Sequence, residues 1–408
     1  MTNIWKNIQI AKEFGIHPST VTNYIDSALE EKNNLTLIKE KNRYYIIQNE
    51  YNYNILKKLK EQGLKHKSKD SIKKVTASDE FYKIFNKEQI AEIIKNLETY
   101  HEIPHKYSYF SKGAKAWEQY VKRSYQDFLI NTVTNTSLLL ELSEDYIFSK
   151  ITTSPMNIID VGAGEGTTVK NFIQKSIDKK LLKNYVAADI SPKMLELSEK
   201  NFKNWFDEKA GYKKIEIDIN NDSLEATTFY LSNQKNTKNT KNLVLFLETT
   251  IENQREYHKT LLNLKDSLGK NDILLIMHSL DTTTARSYFD LWNKEFNESK
   301  KIPDQIYWIP EILGIKDSFY KPVFLYDETD KSRYIKLELT LDLEIEISFE
   351  KTYKLLYLQK GTQIILWRHT HNSLNDINER LYKLGLYTDY LITSPNKSQV
   401  LLACYTTN

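Results

Sequence analysis

The stretch 157-NIIDVGAGEGTTVKNFI-173 limits the fold more than any other part of this chain. An apolar run carries Asp160 near its end. Gly162, Gly164 and Gly166 then fall at alternate positions, and an amphipathic segment begins. Strand, glycine turn and helix in that order let backbone approach a bound ligand closely and let the helix pack on the strand. Further apolar runs repeat the theme. The segment 185-YVAADIS-191 carries Asp189, an acid placed to accept both hydroxyls of a ribose, and 215-IEIDI-219 carries Asp218. A fourth run, 242-NLVLFLETTIEN-253, passes into a polar loop, and 273-ILLIMHS-279 follows the turn 268-LGKND-272. Strands alternating with helical patterns predict an α/β fold, a Rossmann-like doubly wound core. On glycines alone, a dinucleotide site stays open beside other nucleotide-like ligands.

The rest of the chain sorts by texture around that core. A length of 408 residues suggests two or three domains. The segment 11-AKEFGIHPSTVTNYIDSAL-29 has helix-turn-helix spacing, with Gly15 at the turn and Ser19 as the expected N-cap of the second helix. The run 35-LTLIKEKNRYYII-47 reads as a hairpin, so residues 1–62 are expected to form a small N-terminal winged helix-turn-helix domain. Residues 63–80 follow as a basic linker. Residues 81–408 then form the catalytic domain: a helical lead-in over 81–155, the cofactor-binding core over 156–280, and a strand-rich accessory substrate region over 281–408. Within the last, 334-YIKLELTLDLEIEISFE-350 alternates apolar and charged residues and predicts a strand pair.

Net charge is only +3, so any basic surface must be local. Cys404 is the single cysteine, which excludes an intramolecular disulfide and a cysteine zinc site. The amphipathic N-terminus lacks an apolar signal core, and no run approaches the ~18 apolar residues of a membrane span. A cytoplasmic protein with no membrane partner is the expectation.

Together, the Asp-Val-Gly-Ala-Gly-Glu-Gly turn and the three later strands resemble the class I S-adenosylmethionine-dependent methyltransferases over roughly residues 155–280. That resemblance implies S-adenosyl-L-methionine as cofactor. Asp160 with Gly162, Gly164 and Gly166 would hold its amino-acid end, Asp189 its ribose and Asp218 its adenine, with Glu248 completing the set.

The loop 246-FLETTIEN-253 resembles, more narrowly, that of the histidine-specific methyltransferases of ergothioneine biosynthesis. Thr250, Ile251 and Asn253 match that family's Gly-Ser-Thr-Ile-Gly-Asn run, whereas Glu248 and Glu252 replace glycines. The resemblance makes Asn253 a substrate-orienting residue. Through 104-PHKYSYFSKGAKAWEQYV-121 and 285-ARSYFD-290 it also places Tyr107, Tyr109 and Tyr288 near the acceptor. The match weakens in 360-KGTQIILWRHTHNS-373. Where the family keeps a glutamate and a serine to clamp the imidazole, this frame puts Trp367 and His369. An indole can stack or donate but cannot neutralise a cation.

His369, with an ordinary pKa of about 6.5, is the expected catalytic base, assisted by Asn253 and Tyr288. His369 and His371 share a face if the segment is a strand, so a shared metal with His278 as third ligand is conceivable on paper. The favoured reading has no metal, with one histidine lining the pocket and the other exposed. The expected function is N-methylation of a small-molecule or peptide acceptor, with DNA or peptide both open as partners of the winged helix. A DNA-binding regulator that senses the cofactor, or a nucleic-acid methyltransferase, are the alternatives. Against DNA, 19-STVTNYIDSALEE-31 has no Arg or Lys. No Asn/Asp-Pro-Pro-aromatic motif occurs to grip a flipped base.

Overall fold

The computed structural model describes residues 4–29, 35–40, 43–65, 72–151, 155–207, 209–233, 240–299, 301–349 and 352–406. The chain divides into two compact units, Met1–Lys73 and Lys74–Asn408.

In the first unit, helices Asn7–Phe14 and Pro18–Leu29 are joined at Gly15, whose φ of 59° is the left-handed turn that glycine accepts without penalty. Ser19 does not cap the second helix. The helix begins at Pro18, and the ring of His17 accepts the Ser19 N–H at 3.3 Å. Strands Ile4–Trp5, Arg43–Ile47 and Leu37–Glu40 form a small antiparallel sheet with Arg43–Ile47 in the centre. Helix Glu50–Lys65 is pinned to it by the buried Asn52, whose amide donates to the carbonyls of Thr36 and Ile47. Ala11, Phe14, Val21, Ile25, Ile46 and Leu56 close the core. Of the expected basic linker 63–80, residues 66–71 lie outside the described residues; before them helix Glu50–Lys65 continues, and after them come strand Lys73–Thr76 and helix Asp79–Ile84.

The second unit is built on a seven-stranded sheet. Its strands are β1 (Met156–Val161), β2 (Leu182–Asp189), β3 (Gly211–Glu216), β4 (Asn242–Phe246), β5 (Ile273–Ser279), β6 (Leu386–Thr393) and β7 (Gln399–Thr406), in the order β6-β7-β5-β4-β1-β2-β3. Strands β1 to β5 are parallel, and β7 runs antiparallel to both its neighbours. The central strands are apolar on both faces because helices cover both. Ile158, Leu243 and Leu275 point into one core, while Ile159, Val244 and Leu274 point into the other.

The chain steps outward from β1 to β3, then returns to lay β4 on the other side of β1. That reversal makes a switch point between the carboxyl ends of β1 and β4, where open α/β sheets bind ligands. The third strand ends at Glu216, so Asp218 sits two residues beyond it rather than within it.

A third apolar core joins the lead-in helices Asp79–Ile84 and Lys87–Tyr100, helix Asp304–Ile312 and two three-stranded sheets. Here the expected strand pair at 334–350 is corrected. Ser332–Leu339 and Leu343–Phe349 belong to different sheets, the first between strands Tyr320–Asp327 and Gln363–Thr370, the second between Lys73–Thr76 and Thr352–Leu358. A periodicity of two gives each strand a buried face but does not choose its neighbour.

Helix Ser111–Gln126 meets Asp304–Ile312 at Gly113. A Cβ built there would stand 1.7 Å from the Ser108 carbonyl oxygen and 2.6 Å from Trp308 Nε1. Gly113→Ala should therefore destabilise the protein by roughly 1–3 kcal/mol, read as a lower denaturant midpoint with unchanged slope.

Candidate cofactor and acceptor site

The carboxyl end of β1 opens into the glycine turn. Gly162, Gly164 and Gly166 all have left-handed φ, at 72°, 53° and 85°, which is the physical reason glycine recurs there. Gly162 and Gly164 line a cavity of about 80 Å³ at the switch point. Gly166 faces inward instead, against Tyr185, Ser198 and Trp205, where it lets the following helix close on the sheet.

The acids expected around this turn are buried. Asp189, at the end of β2, lines the cavity and accepts the N–H groups of Gly164 at 3.0 Å and Ser191 at 2.8 Å. Asp160 lies behind the turn, where the Tyr185 hydroxyl donates to it at 2.8 Å; it braces the loop from beneath. Glu248 lines the cavity from the loop after β4 and accepts from the Thr168 hydroxyl. Burial raises all three carboxyls, Asp189 to about 6, Asp160 to about 7 and Glu248 to about 8. Glu248 and Thr249 both hold left-handed φ, at 56° and 55°, a conformation that costs a non-glycine residue about 1–2 kcal/mol. A run with glycine at this point would adopt it freely.

Asp218 also lines the cavity. It accepts from Lys106 Nζ at 2.6 Å, from Asn221 Nδ2 at 2.7 Å and from the Asn220 N–H at 3.1 Å. A carboxylate has about four acceptor positions, so one is left for a further donor such as an exocyclic amine. Lys106 reaches Glu92 as well, tying the lead-in helix Lys87–Tyr100 to the core.

The small cavity continues into a cleft of about 700 Å³, and the two share His105, Lys106, Asp218 and Asn253 among their lining. At this junction Asn253 ends the 3₁₀ turn Thr250–Asn253. Its Oδ1 lies 3.1 Å from Nδ1 of His369, and Nε2 of His369 lies 2.7 Å from the Ser279 hydroxyl. With Nδ1–H donating to Oδ1, the Asn253 amide turns its NH₂ away from His369.

This arrangement corrects the assignment of His369 as base. Both ring nitrogens are bonded, and burial, helped by the positive neighbourhood of Arg333, holds its pKa well below the usual value. His369 holds Asn253 in place; it does not line either cavity. Trp367 stacks on His369 with ring centres 5.4 Å apart and does not line them either. His371, expected at the surface, is buried, with Arg333 Nε donating to its Nε2 at 3.2 Å. His278 pairs with Glu252 at 2.7 Å on the far side of the 3₁₀ turn. Among the described residues, no group of three or more His, Cys, Asp or Glu side chains is placed to hold a metal.

Of the three tyrosines, Tyr109 lines the small cavity and Tyr107 the cleft, where its hydroxyl donates to Glu92 at 2.7 Å. Tyr288 lies on helix Thr283–Ser299, but its side chain falls outside the described residues. Sequence reasoning missed Trp117, which stands over Tyr109 and lies 3.6 Å from a Cβ built on Gly164, and His105. Both sit in the 104–121 segment, but on separate elements, His105 on the 3₁₀ turn His105–Tyr109 and Trp117 on helix Ser111–Gln126, so no single periodicity pointed to them.

Residues 88–290 match the family described as histidine-specific methyltransferase, SAM-dependent, a span just under half of the chain. No curated protein matches the sequence. Among solved structures, a S-adenosylmethionine-dependent methyltransferase from Clostridium acetobutylicum shares 10% identity, over 72% of this chain and 99% of its own, with a TM-score of 0.36. Magnesium protoporphyrin IX methyltransferase from Synechocystis, with bound SAH, shares 10% over 74% and 98%, with a TM-score of 0.41. The 1,6-didemethyltoxoflavin-N1-methyltransferase of Burkholderia thailandensis shares 11% over 75% and 91%, with a TM-score of 0.34. With the glycine turn at the switch point, the family match identifies a SAM-dependent methyltransferase, and S-adenosylmethionine is its cofactor. The site fits that group: buried carboxylates line a glycine turn, and the cofactor brings an ammonium and a sulfonium. No helix among the described residues is long and apolar enough to cross a membrane.

The raised carboxyl groups fix a sign for stability. Glu248 keeps its proton in the folded chain up to about pH 8, whereas an unfolded glutamate releases it near 4.5. Stability of the ligand-free protein should thus fall as pH rises through that window, by at most about 1.4 kcal/mol per pH unit for each such group. Glu248→Gln should flatten the fall between about pH 5 and 8, measured by denaturant titration at several pH values.

Proposed function

We propose that this methyltransferase N-methylates a small-molecule or peptide acceptor that reaches the methyl through the cleft beside Asn253, and that the acceptor is not free histidine. The observation that carries this reading is the junction of the two cavities, with Asn253 held there by Ser279 and His369. The cofactor supplies a methyl made electrophilic by its sulfonium. The acceptor nitrogen's lone pair forms the new bond as the methyl–sulfur bond breaks and S-adenosylhomocysteine departs. The protein's part is alignment, worth about 7–11 kcal/mol when geometry is well set. Gly162, Gly164, Asp189 and Glu248 would hold the amino-acid and ribose portions, Asp218 the adenine amine, and Asn253 with Tyr109 the acceptor.

Free histidine is disfavoured by what stands on strand Gln363–Thr370. The resemblance calls for a carboxylate and a hydroxyl, and this chain has Trp367 and His369 stacked on each other. His369 is held neutral and already bonded, so it supplies no negative charge to a cationic imidazole.

With methyl-labelled cofactor and a cell extract split into small-molecule and peptide fractions, label should enter one of the two and not free histidine. Asn253→Ala should lower that transfer by about 10²-fold while S-adenosylhomocysteine affinity, read by calorimetry, stays within about twofold. Labelled histidine, or an unchanged rate in Asn253→Ala, sinks the reading.

We read the first unit as a winged helix, with the boundary to the second unit after Lys73 rather than along a linker over 63–80, since strand Lys73–Thr76 and helix Asp79–Ile84 pack with the second unit. We read this winged helix as a grip for a peptide rather than for DNA. The exposed positions of helix Pro18–Leu29 include Ser19, Thr22, Asn23 and Asp26, and the helix carries no cation to anchor phosphate. Mobility-shift assays at about 150 mM salt should find no sequence-specific DNA complex. A tight specific complex there would favour the regulator reading.

A further inference from the structure

The methyl transfer outlined above leaves one proton unaccounted for. An amine in neutral water is mostly ammonium, and its nitrogen has no lone pair until a proton leaves. His369 does not take that proton, being bonded at both ring nitrogens and lining neither cavity. Three titratable side chains line both the small cavity and the cleft: His105, Lys106 and Asp218. Lys106 is a cation held by Glu92 and Asp218. Asp218 is engaged by Lys106, Asn221 and Asn220. Asp189 and Glu248 line only the small cavity, whereas Glu92, Lys95, Glu102 and Lys259 line only the cleft. Among the described residues, only His105 combines a place at the junction with a neutral base; burial pushes its pKa down to about 4. His369, near enough to sense its charge, is held neutral as well.

His105 opens the 3₁₀ turn His105–Tyr109, and the turn brings its first and last rings together. They meet edge to face, with centres 5.3 Å apart. Nε2 of His105 lies 3.3 Å from the Tyr109 hydroxyl, and Nδ1 lies 3.4 Å from the Ser108 hydroxyl. Contacts of this length in catalytic sites tighten when substrate binds. Tyr109 is itself fixed. The Ser191 hydroxyl donates to its carbonyl at 2.7 Å, and its ring stands edge-on to Trp117 at 5.5 Å. With the proton of His105 on Nδ1, the Tyr109 hydroxyl donates to Nε2. The phenol oxygen then keeps its lone pairs for an N–H in the small cavity that Tyr109 lines.

We propose that Tyr109 and His105 form the proton relay of the reaction, carrying a proton from the acceptor nitrogen to the cleft. This rests on the cleft being the acceptor's path, as inferred above. The acceptor's N–H proton passes to the Tyr109 oxygen as the phenol's own proton passes to Nε2 of His105. The nitrogen keeps the electron pair that attacks the methyl. The imidazolium then releases its extra proton to solvent through the cleft and returns to its neutral form. The transfer is uphill, about tenfold in equilibrium for each unit of pKa difference. Methyl transfer draws it forward by consuming the neutral amine. A base of such low affinity does not keep the proton, which is what a relay requires.

The test uses the full chain, methyl-labelled cofactor and the extract fraction that takes up label. His105→Gln keeps a hydrogen-bond acceptor near Tyr109 but cannot take a proton. It should lower the rate of label transfer by about 10²-fold, with S-adenosylhomocysteine affinity within about twofold of wild type and the thermal midpoint little changed. His105→Ala should lose as much, and free imidazole, added as the probe, should restore transfer in proportion to its neutral fraction. Tyr109→Phe should be slow and unmoved by imidazole. Nitrogen NMR of the wild-type chain with S-adenosylhomocysteine needs no acceptor, and should show Nε2 of His105 without a proton. A near wild-type rate in His105→Gln, no response of His105→Ala to imidazole, rescue of Tyr109→Phe, or a protonated Nε2 overturns the proposal. Absence of label transfer by the wild-type chain would instead overturn the reading of the acceptor site, a separate result.

Discussion

The bond between His369 and Asn253 joins parts of the chain 116 residues apart, and the site takes its shape from it. Ser279 at the end of β5 holds one ring nitrogen, so His369 is oriented from the sheet and in turn orients the loop after β4. A buried imidazole with both nitrogens satisfied is rigid and uncharged, which is what a positioning group requires. The neighbouring pair Glu252–His278 repeats the pattern one residue earlier on both elements. Two consecutive residues of β5 thereby hold two consecutive residues of the loop, one on each side. The accessory strand Gln363–Thr370 is the means by which the C-terminal region completes a site whose other half is built before residue 255.

Electrostatics divides the site into two territories. Around the glycine turn the buried groups are acids, held without a described cation and therefore pushed toward their neutral forms. A ligand carrying positive charge at that turn returns them to their charged forms and gains their attraction. In the cleft the charges are mostly paired: Lys106 between Glu92 and Asp218, and Glu102 between Arg255 and Arg368. These pairs bridge the lead-in helix to the core and the core to the accessory strand. They fix the width of the cleft as much as they fix its charge.

Parts of this were legible in the residues. Gly162, Gly164, Asp189 and Asp218 line one cavity, Asp218 from two residues beyond the end of its strand. Asp160 is close by but faces the Tyr185 hydroxyl from behind the turn, because alternate residues of a strand point to opposite faces. Tyr109 was legible from its segment. His369 was found as a residue but mistaken in role, since its sequence neighbours say nothing of Ser279 or of its burial. Trp367 was misplaced for a related reason. Trp367 and His369 share a face as any two alternate residues of a strand do, and they stack on each other there rather than lining the cavities.

The sequence by itself determined the order of strands and helices, the glycine turn and the identity of the acids beside it. Those features depend on contacts between residues close along the chain, where φ preference, apolar periodicity and turn chemistry decide the outcome. Only the tertiary structure decided which strands of the accessory region pair, which histidine is held neutral, and that two arginines, at 255 and 368, converge on Glu102. Those are matters of register and burial between elements that are not neighbours along the chain, up to 266 residues apart for Glu102 and Arg368. A one-residue shift of a strand exchanges its faces, and no local pattern records which exchange the fold has made.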